Sequence, residues 1–234
     1  ASYNTALKLK PNHPEAHQNL SMAELLVGDY KSGWERYEYR FQCKKTKGIL
    51  DAKPTCNKWS GEELILDSQL LLITEQGLGD TLQFMRYAIT LRNQGIAVSL
   101  CAPSKLHTLI QASGIDPTPL TPDQANQVSE GQWIPLMSVP RLFDVSPDNP
   151  IITESYIKTS DQLIGKWKSI LSAESRPIIA INWQGNPDHE KTNSFGRSLP
   201  LKTFALIAAK TNAKLLSLQK LSLIHISEPT RRTP

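Results

Sequence analysis

The sequence predicts an α/β fold that follows a pair of helices. Between residues 14 and 41, apolar side chains recur at steps of three and four, which is typical of helices that each bury one face. From residue 64 onward, short apolar runs alternate with turns and helical patterns, as in a parallel sheet with helical crossovers. A second series of this kind begins near residue 176. We therefore expect a helical hairpin, one α/β domain and the start of another.

The composition is that of an ordinary folded chain. The 234 residues include 26 Lys and Arg against 22 Asp and Glu, and 39% of them are hydrophobic. These values exclude disordered and collagen-like chains, and a formal net charge of only +4 does not favour nucleic-acid binding. Because no apolar run approaches the ~20 residues of a transmembrane helix, we expect a soluble protein without a membrane-spanning segment.

The three cysteines indicate a reducing environment. Cys43, Cys56 and Cys101 are odd in number and contain no CxxC pair, which argues against both a disulfide framework and a zinc site. We therefore expect a cytoplasmic protein, and we predict no metal.

Residues 1–45 are predicted to form a helical hairpin. The first helix covers residues 14–27, and Gly28 and Asp29 make the turn. The second helix carries one apolar stripe, which consists of Tyr30, Trp34, Tyr37 and Phe41. We interpret the last three of these residues as core packing between helices. Residues 46–63 are polar, and the lysines beside them have no interleaved aromatic residue, so we interpret this stretch as a linker rather than a nucleic-acid patch.

Residues 64–175 are predicted to form the first α/β domain. Strand, turn, helix and strand follow one another at residues 70–74, 75–79, 80–93 and 97–102. Seven of the 16 prolines fall between residues 116 and 150, which favours short strands and loops near a cleft. We interpret His107 and Trp167 as core residues. Residues 176–220 hold two further strands and one helix, and we interpret them as the beginning of a second domain.

The loop after the first predicted strand carries the first candidate site. It contains Glu75, Gln76, Gly77, Gly79 and Asp80 at the sheet edge where open α/β folds bind ligands. A dinucleotide fingerprint fails because Leu82 stands at the third glycine position and no acid ends the next strand, and a phosphate loop fails because no Gly-Lys-Ser/Thr follows. Asp80 is either a helix-capping residue or a carboxylate that faces a cleft. Glu75 has the same two interpretations.

A second candidate site lies in the polar loop between residues 184 and 198. Its donors suit phosphate oxygens, and they are Asn186, His189, Lys191, Arg197 and Ser198. The alternative is a solvated surface loop.

Several blocks of the sequence resemble one family. They are Gly33 to Arg40 (Gly-Trp-Glu-x-Tyr-Glu-x-Arg), Trp59-x-Gly61, the run Leu70 to Tyr87, Ile134 to Pro140, and Asn182 to His189 with Arg197-Ser198. In these blocks the chain resembles bacterial tetratricopeptide-repeat (TPR) glycosyltransferases, whose catalytic part is heptosyltransferase-like. Tyr3, Ala6, Pro11 and Leu20 also fall in the phase of such a repeat. The resemblance covers about residues 1–220, and the block around residues 75–87 is its most specific part.

The resemblance implies a fold and an activity. The fold is a TPR-like hairpin followed by two Rossmann-like domains that face each other across a cleft, the GT-B arrangement. The activity is sugar transfer from a nucleotide-sugar donor to a hydroxyl of a glycan or protein acceptor, inverting, without a metal or other cofactor. Asp80 takes the role of general base. Family members often have an Asp-Arg pair before Arg197, where this chain has residues 193–196 (Asn-Ser-Phe-Gly).

Two other functions remain open at this stage. One is a non-catalytic scaffold whose TPR helices bind a protein partner while the α/β part is a degenerate support. The other, the least favoured, is a nicotinamide-dependent enzyme.

The ends of the chain carry a separate expectation. Residues 221–234 resemble the translation of a transposase-based sequencing adapter, so we expect an artefactual tail there. The first residue is not Met, and the second predicted domain stops after two strands. We therefore expect a piece of a longer protein that has no measurable transferase activity by itself.

Overall fold

The computed structural model describes residues 2–44, 49–62, 69–143, 145–151, 154–185 and 198–219. The helices are α1 (Ser2–Leu9), α2 (Pro14–Leu26), α3 (Tyr30–Tyr37), α4 (Leu78–Phe84), α5 (Arg86–Asn93), α6 (His107–Ala112), α7 (Pro122–Asn126), α8 (Asp161–Leu171) and α9 (Leu201–Thr211). The strands are β1 (Asn57–Lys58), β2 (Leu70–Ile73), β3 (Val98–Cys101), β4 (Gln132–Pro135), β5 (Ile178–Ile181) and β6 (Lys214–Ser217). Mixed α/β structure with parallel strands is confirmed.

The predicted helical hairpin is formed by α2 and α3. Its second helix begins at a cap, because the Asp29 carboxylate accepts the Ser32 N–H at 3.2 Å. A Cβ on Gly33 would stand 2.7 Å from the Leu25 side chain, so glycine allows the close approach of the two helices. The α-helix ends at Tyr37, earlier than the apolar stripe predicts, and a 3₁₀ turn continues it over Glu38–Gln42.

The larger sheet has four parallel strands in the order β1-β4-β2-β3. Leu120 forms a further parallel bridge with Cys101 on the outer side of β3. The chain thus builds outward from β2 through β3 to Leu120 and then returns to the opposite side of β2 to form β4. This reversal leaves the carboxyl ends of β2 and β4 side by side, and such a point is where open α/β sheets offer a ligand crevice.

Apolar side chains cover both faces of this sheet. On one face, Leu70 and Leu72 belong to the main core, which also includes Met85, Leu91 and Tyr37. The other face is smaller, and its buried residues are Ala52, Leu71, Ile73, Cys101 and Ala125. Because Tyr37 lies in the main core and Trp34 packs against it, the hairpin and the sheet share one core. The aromatic stripe of the second helix is therefore core packing, as predicted for these two residues.

The chain divides into two compact units, Ala1–Ser160 and Asp161–Pro234. The structure divides the chain before α8, whereas the sequence predicts the domain boundary after residue 175. In the second unit, β5 and β6 pair in parallel from Ile178 with Lys214 to Ile181 with Ser217.

The second unit buries little apolar surface in its described part. Ile181 and Ala213 are its buried hydrophobic residues there. Trp167 on α8 is 48% exposed, so the core position predicted for it is wrong, because no described residue of α8 is buried. None of the helices in the described ranges combines the length and apolarity that a bilayer crossing needs.

Candidate functional site

The segment that follows β2 holds the first predicted site. Thr74 and Glu75 are buried, while the next residues emerge at the surface before α4 begins at Leu78. Gln76 has φ +66°, in the left-handed region that side chains other than glycine rarely adopt. The chain therefore turns sharply between a buried carboxylate and the start of a helix.

The Glu75 carboxylate is held by a guanidinium from the hairpin. Arg40 Nε donates to Oε2 and Arg40 Nη2 donates to Oε1, both at 2.8 Å. Both side chains are completely buried. The Met137 N–H also donates to Glu75 Oε1, at 3.3 Å. Glu75 therefore joins the hairpin to the ends of β2 and β4, and in this conformation it is not presented to a ligand.

Arg40 has further partners around the same point. Its Nη1 donates to Glu38 Oε1 at 2.8 Å and to the Tyr37 carbonyl at 3.1 Å, and its Nη2 donates to Ser138 Oγ at 2.8 Å. Ser138 in turn donates to Glu38 Oε1 at 2.6 Å. Burial alone would lower the pKa of Arg40, but its bonds to Glu75 and the charges of both carboxylates outweigh burial and raise the pKa. The guanidinium is therefore permanently charged.

This network joins three of the sequence blocks that carry the family resemblance. Glu38 and Arg40 come from the first block, Glu75 from the long central block and Ser138 from the block that ends β4. We call these four residues the edge cluster. It fills the crevice at the carboxyl ends of β2 and β4 with side chains of the protein itself.

A second contact ties the hairpin to the same turn. Gln76 Nε2 donates to Tyr37 Oη at 2.6 Å. Burial raises the pKa of Tyr37, and the nearby Arg40 charge opposes that rise. Because the bond holds the side chain of a residue with strained φ, Tyr37 helps to set the conformation of the turn.

Asp80 lies in the first turn of α4 and is half-buried. Its Oδ2 accepts the Gly77 N–H at 3.0 Å, and Thr81 N–H donates to the Gly77 carbonyl at 3.1 Å. Asp80 therefore caps the helix, but it does so from the third helical position, and the N-cap is Gly77 rather than Asp80 as the sequence alternative has it. Among the described residues, Oδ1 has no hydrogen-bond partner, so one oxygen of the carboxylate remains available.

The two glycines of the turn differ in their surroundings. Gly77 and Gly79 are both exposed. A Cβ on Gly77 would meet Asp80 Oδ2 at 3.1 Å, while a Cβ on Gly79 would meet nothing within 4 Å. The backbone at Gly79 is thus open to an approaching molecule, as the prediction for a substrate-binding loop requires.

The described residues include only the two ends of the loop that holds the second predicted site, residues 184–185 and 198. Ser198 Oγ accepts the Gly185 N–H at 3.1 Å, and Gln184 exchanges two hydrogen bonds with Gln219. The first contact joins the two ends of the loop to each other, and the second joins the start of the loop to the segment that follows β6. The other predicted phosphate donors lie outside the described residues: Asn186, His189, Lys191 and Arg197.

Arg86 and His107 have local roles. Arg86 Nε donates to the Gln83 carbonyl at 2.9 Å, and its guanidinium lies 4.9 Å from the centre of the Tyr156 ring. His107 is half-buried, and its Nε2 lies 2.9 Å from the Ala102 carbonyl oxygen.

Two adjoining cavities lie beside the hairpin in the first unit. One, of about 370 Å³, is bounded by α3, the end of α4, the start of α5 and the segment 145–150. The other, of about 330 Å³, shares Tyr30, Trp34 and Val145 with it. Asp80 does not line the first cavity, but Gln83 and Phe84 do, and they lie about one helical turn from it along α4.

Sequence reasoning did not identify Arg40 or Ser138 as members of the site. Arginine is rarely fully buried unless it is paired, and the pairing partner stands 35 residues away in the chain. The signal that could have found them was their presence in two other blocks that carry the same family resemblance as the block of Glu75. Within the described ranges, no group of three His, Cys, Asp or Glu residues is placed to hold a metal ion.

Comparison of the chain with family models, curated proteins and solved structures finds no match in any of the three.

Proposed function

We propose that residues 1–220 belong to a glycosyltransferase that moves a sugar from a nucleotide-sugar donor to a hydroxyl acceptor. The observation that carries the proposal is the position of Asp80. It lies in the first turn of α4, which follows the carboxyl end of β2, and its Oδ1 has no partner among the described residues. A carboxylate at a ligand-binding sheet edge, with one oxygen fixed and the other available, is suited to general base catalysis.

The proposed reaction uses Asp80 to activate the acceptor. A sugar hydroxyl is a poor nucleophile, so its proton passes to the carboxylate as its oxygen attacks the anomeric carbon of the donor. The bond from that carbon to the donor phosphate breaks, and the nucleotide leaves with the bonding electrons. One displacement of this kind inverts the configuration. No metal and no redox cofactor take part in the proposed step.

The two carboxylates of the turn have different proposed roles. Asp80 is half-buried and has a free oxygen, while both oxygens of Glu75 are bonded to Arg40. Proton transfer to Glu75 would weaken a buried ion pair, which is costly. We therefore assign the base to Asp80, and to Glu75 the fixing of the turn that presents Gln76, Gly77 and Gly79 to substrate.

The donor phosphates are assigned to the loop between residues 184 and 198. The assignment rests on its sequence, because a cluster of amide, imidazole, ammonium, guanidinium and hydroxyl groups suits an anionic leaving group. Ser198 holds the end of this loop against its start at Gly185, and Gln184 is bonded to Gln219 after β6. We further propose a TPR origin for the hairpin and a GT-B arrangement for the two units.

The experiment that tests the function is a transfer assay on the parent chain, by which we mean the full protein that contains residues 1–220. Asp80→Asn should abolish transfer while leaving folding and donor binding intact. Asp123→Asn is the matched control, because Asp123 also stands in the first turn of a helix and is exposed. Unchanged turnover of Asp80→Asn would remove Asp80 from the mechanism.

One observation favours the alternative, a non-catalytic scaffold. The edge cluster fills the sheet-edge crevice, and Asp80 caps its own helix, so both carboxylates have structural roles without any substrate. A scaffold predicts that no nucleotide sugar raises the melting temperature of the parent chain. A glycosyltransferase predicts that at least one does.

A further inference from the structure

We propose that the 370 Å³ cavity beside α3 binds a carbohydrate. The inference deepens the proposed function, because the bound sugar would be the acceptor and only that role depends on the transfer reaction. The binding itself is argued from the cavity, which has the size of a small-molecule site.

Aromatic side chains form much of the cavity wall. Tyr30 and Trp34 come from successive turns of α3, and Phe84 and Tyr87 come from the junction of α4 and α5. Trp34 meets Phe84 edge to face, with ring centres 5.7 Å apart. Phe84 and Tyr87 are almost completely buried, whereas Tyr30 and Trp34 are half-buried and retain exposed surface. The apolar faces of a sugar ring can pack against such surface.

Polar groups on the same wall can serve sugar hydroxyls. Gln83 offers an amide, Arg86 a guanidinium, and Tyr30 and Ser146 offer hydroxyl groups. The described lining contains no acidic side chain. A polyamine or another cation is therefore a poor occupant, because it would meet the like charge of Arg86 and none of the described lining residues is acidic.

Trp34 contributes its ring to the wall of both adjoining cavities. Its indole nitrogen is buried from water and has no hydrogen-bond partner among the described residues. Because that burial also keeps a ligand in the cavity away from the nitrogen, Trp34 offers a sugar its aromatic surface rather than its N–H.

The cavity is also placed suitably for an acceptor. Gln83 and Phe84 lie one helical turn after Asp80 on α4. Tyr37, one turn after Trp34 on α3, accepts a hydrogen bond from Gln76, which lies four residues before Asp80 in the turn that leads into α4. A sugar held between Tyr30 and Gln83 could therefore extend toward the free oxygen of Asp80.

The test uses the indole N–H signals of the isotopically labelled 234-residue chain in nuclear magnetic resonance. Trp34→Phe identifies the Trp34 signal by its loss. Maltose, cellobiose and diacetylchitobiose are titrated separately, with hexaproline as a peptide probe. We expect a saturable shift of the Trp34 signal with at least one disaccharide. The signal of Trp167, which is exposed on α8, should not move.

Two substitutions locate the binding. Tyr30→Ala should weaken the affinity about tenfold through loss of the aromatic face. Gln83→Ala should weaken it about threefold, and this exposed position can be changed without affecting the core. Gln111→Ala, an exposed glutamine on α6, is the matched control and should leave the affinity unchanged.

The outcomes separate this inference from the proposed function. The carbohydrate site is overturned if none of the three disaccharides shifts the Trp34 signal, or if hexaproline alone shifts it. It is also overturned if neither Tyr30→Ala nor Gln83→Ala weakens the binding. Binding is measured without turnover. Unchanged transfer by Asp80→Asn would therefore remove Asp80 as the base, and absence of transfer by the unchanged protein would remove the glycosyltransferase, while either result leaves the carbohydrate site standing.

Discussion

Arg40 and Glu75 stand 35 residues apart in the chain and form a two-bond ion pair in which neither side chain is exposed to solvent. The pair fixes the 3₁₀ turn after α3 to the carboxyl end of β2. In consequence the hairpin is part of the α/β unit rather than a module attached to it. The hairpin and the four-stranded sheet accordingly fall in the same compact unit, residues 1–160.

Breaking this pair on one side should destabilise the first unit strongly. Arg40→Met leaves the buried Glu75 carboxylate without its cation, and a loss of about 3–5 kcal/mol in the free energy of unfolding is expected. Glu75→Gln should cost a similar amount. Urea unfolding measures both. Arg176→Met, in an exposed pair with Glu174, is the control and should change little; a comparably small effect of Arg40→Met would contradict the structural role.

The strained turn should show coupling between Gln76 and Tyr37. Tyr37→Phe removes one hydrogen bond and should cost about 1 kcal/mol. Gln76→Gly loses the same bond but relieves a positive φ, which is worth about 1 kcal/mol, so its net effect should be near zero. In the Tyr37→Phe background, Gln76→Gly should therefore stabilise the protein. A double-mutant cycle from unfolding curves gives the coupling, and strictly additive effects would argue against the contact.

Two glycines should respond in opposite directions to alanine. Gly131, just before β4, has φ +78°, and an added Cβ would collide with the Gln69 carbonyl oxygen. Gly131→Ala should thus destabilise by about 2–4 kcal/mol. Gly79→Ala should stabilise α4 by up to about 1 kcal/mol, because nothing lies within 4 Å of the new Cβ. Thermal unfolding decides both, and equal effects at the two positions would contradict the described backbone.

Stability should fall at alkaline pH. Burial raises the pKa of Tyr87 to about 12 and that of Cys101 to about 12. In the unfolded chain the phenol ionises at about pH 10 and the thiol at about pH 8.5. Their contribution is therefore complete below about pH 8 and is lost progressively as the pH rises toward 12.

Unfolding free energies measured from pH 8 to pH 11 test this expectation. Tyr87→Phe should flatten the decline above about pH 10, where the unfolded phenol ionises. The variant and the parent should share the same slope near pH 8. A variant whose stability falls as steeply as that of the parent above pH 10 would show that Tyr87 is not the group responsible.

Much of the fold followed from local pattern. The run Leu70–Ile73 is entirely buried, as its continuous apolar sequence predicts, and the hairpin follows from the apolar period and from Gly28 and Asp29. The end of α3 at Tyr37 does not follow from local pattern. The 3₁₀ turn after it carries Arg40, and the pairing of Arg40 with Glu75 is a long-range contact that local sequence does not encode. The core position predicted for Trp167 is wrong for a related reason. An apolar stripe shows which face of a helix can be buried, but it does not show whether another element packs against that face.

The candidate site was predictable in position but not in detail. The Gly-bearing turn after the first strand indicated the sheet edge, and Asp80 lies there. The sequence does not predict which of the two carboxylates, Glu75 or Asp80, is bound by a protein side chain. That outcome depends on Arg40, which the hairpin places beside Glu75. The edge cluster thus decides the roles of Glu75 and Asp80 through charge pairing.

The most direct test of the central proposal is the rate of sugar transfer by the parent chain with Asp80→Asn, set beside Asp123→Asn. A general base predicts a loss of about 10²–10⁴-fold in kcat for Asp80→Asn, with donor affinity retained and Asp123→Asn unchanged. Equal rates for the two variants would contradict the assignment of Asp80.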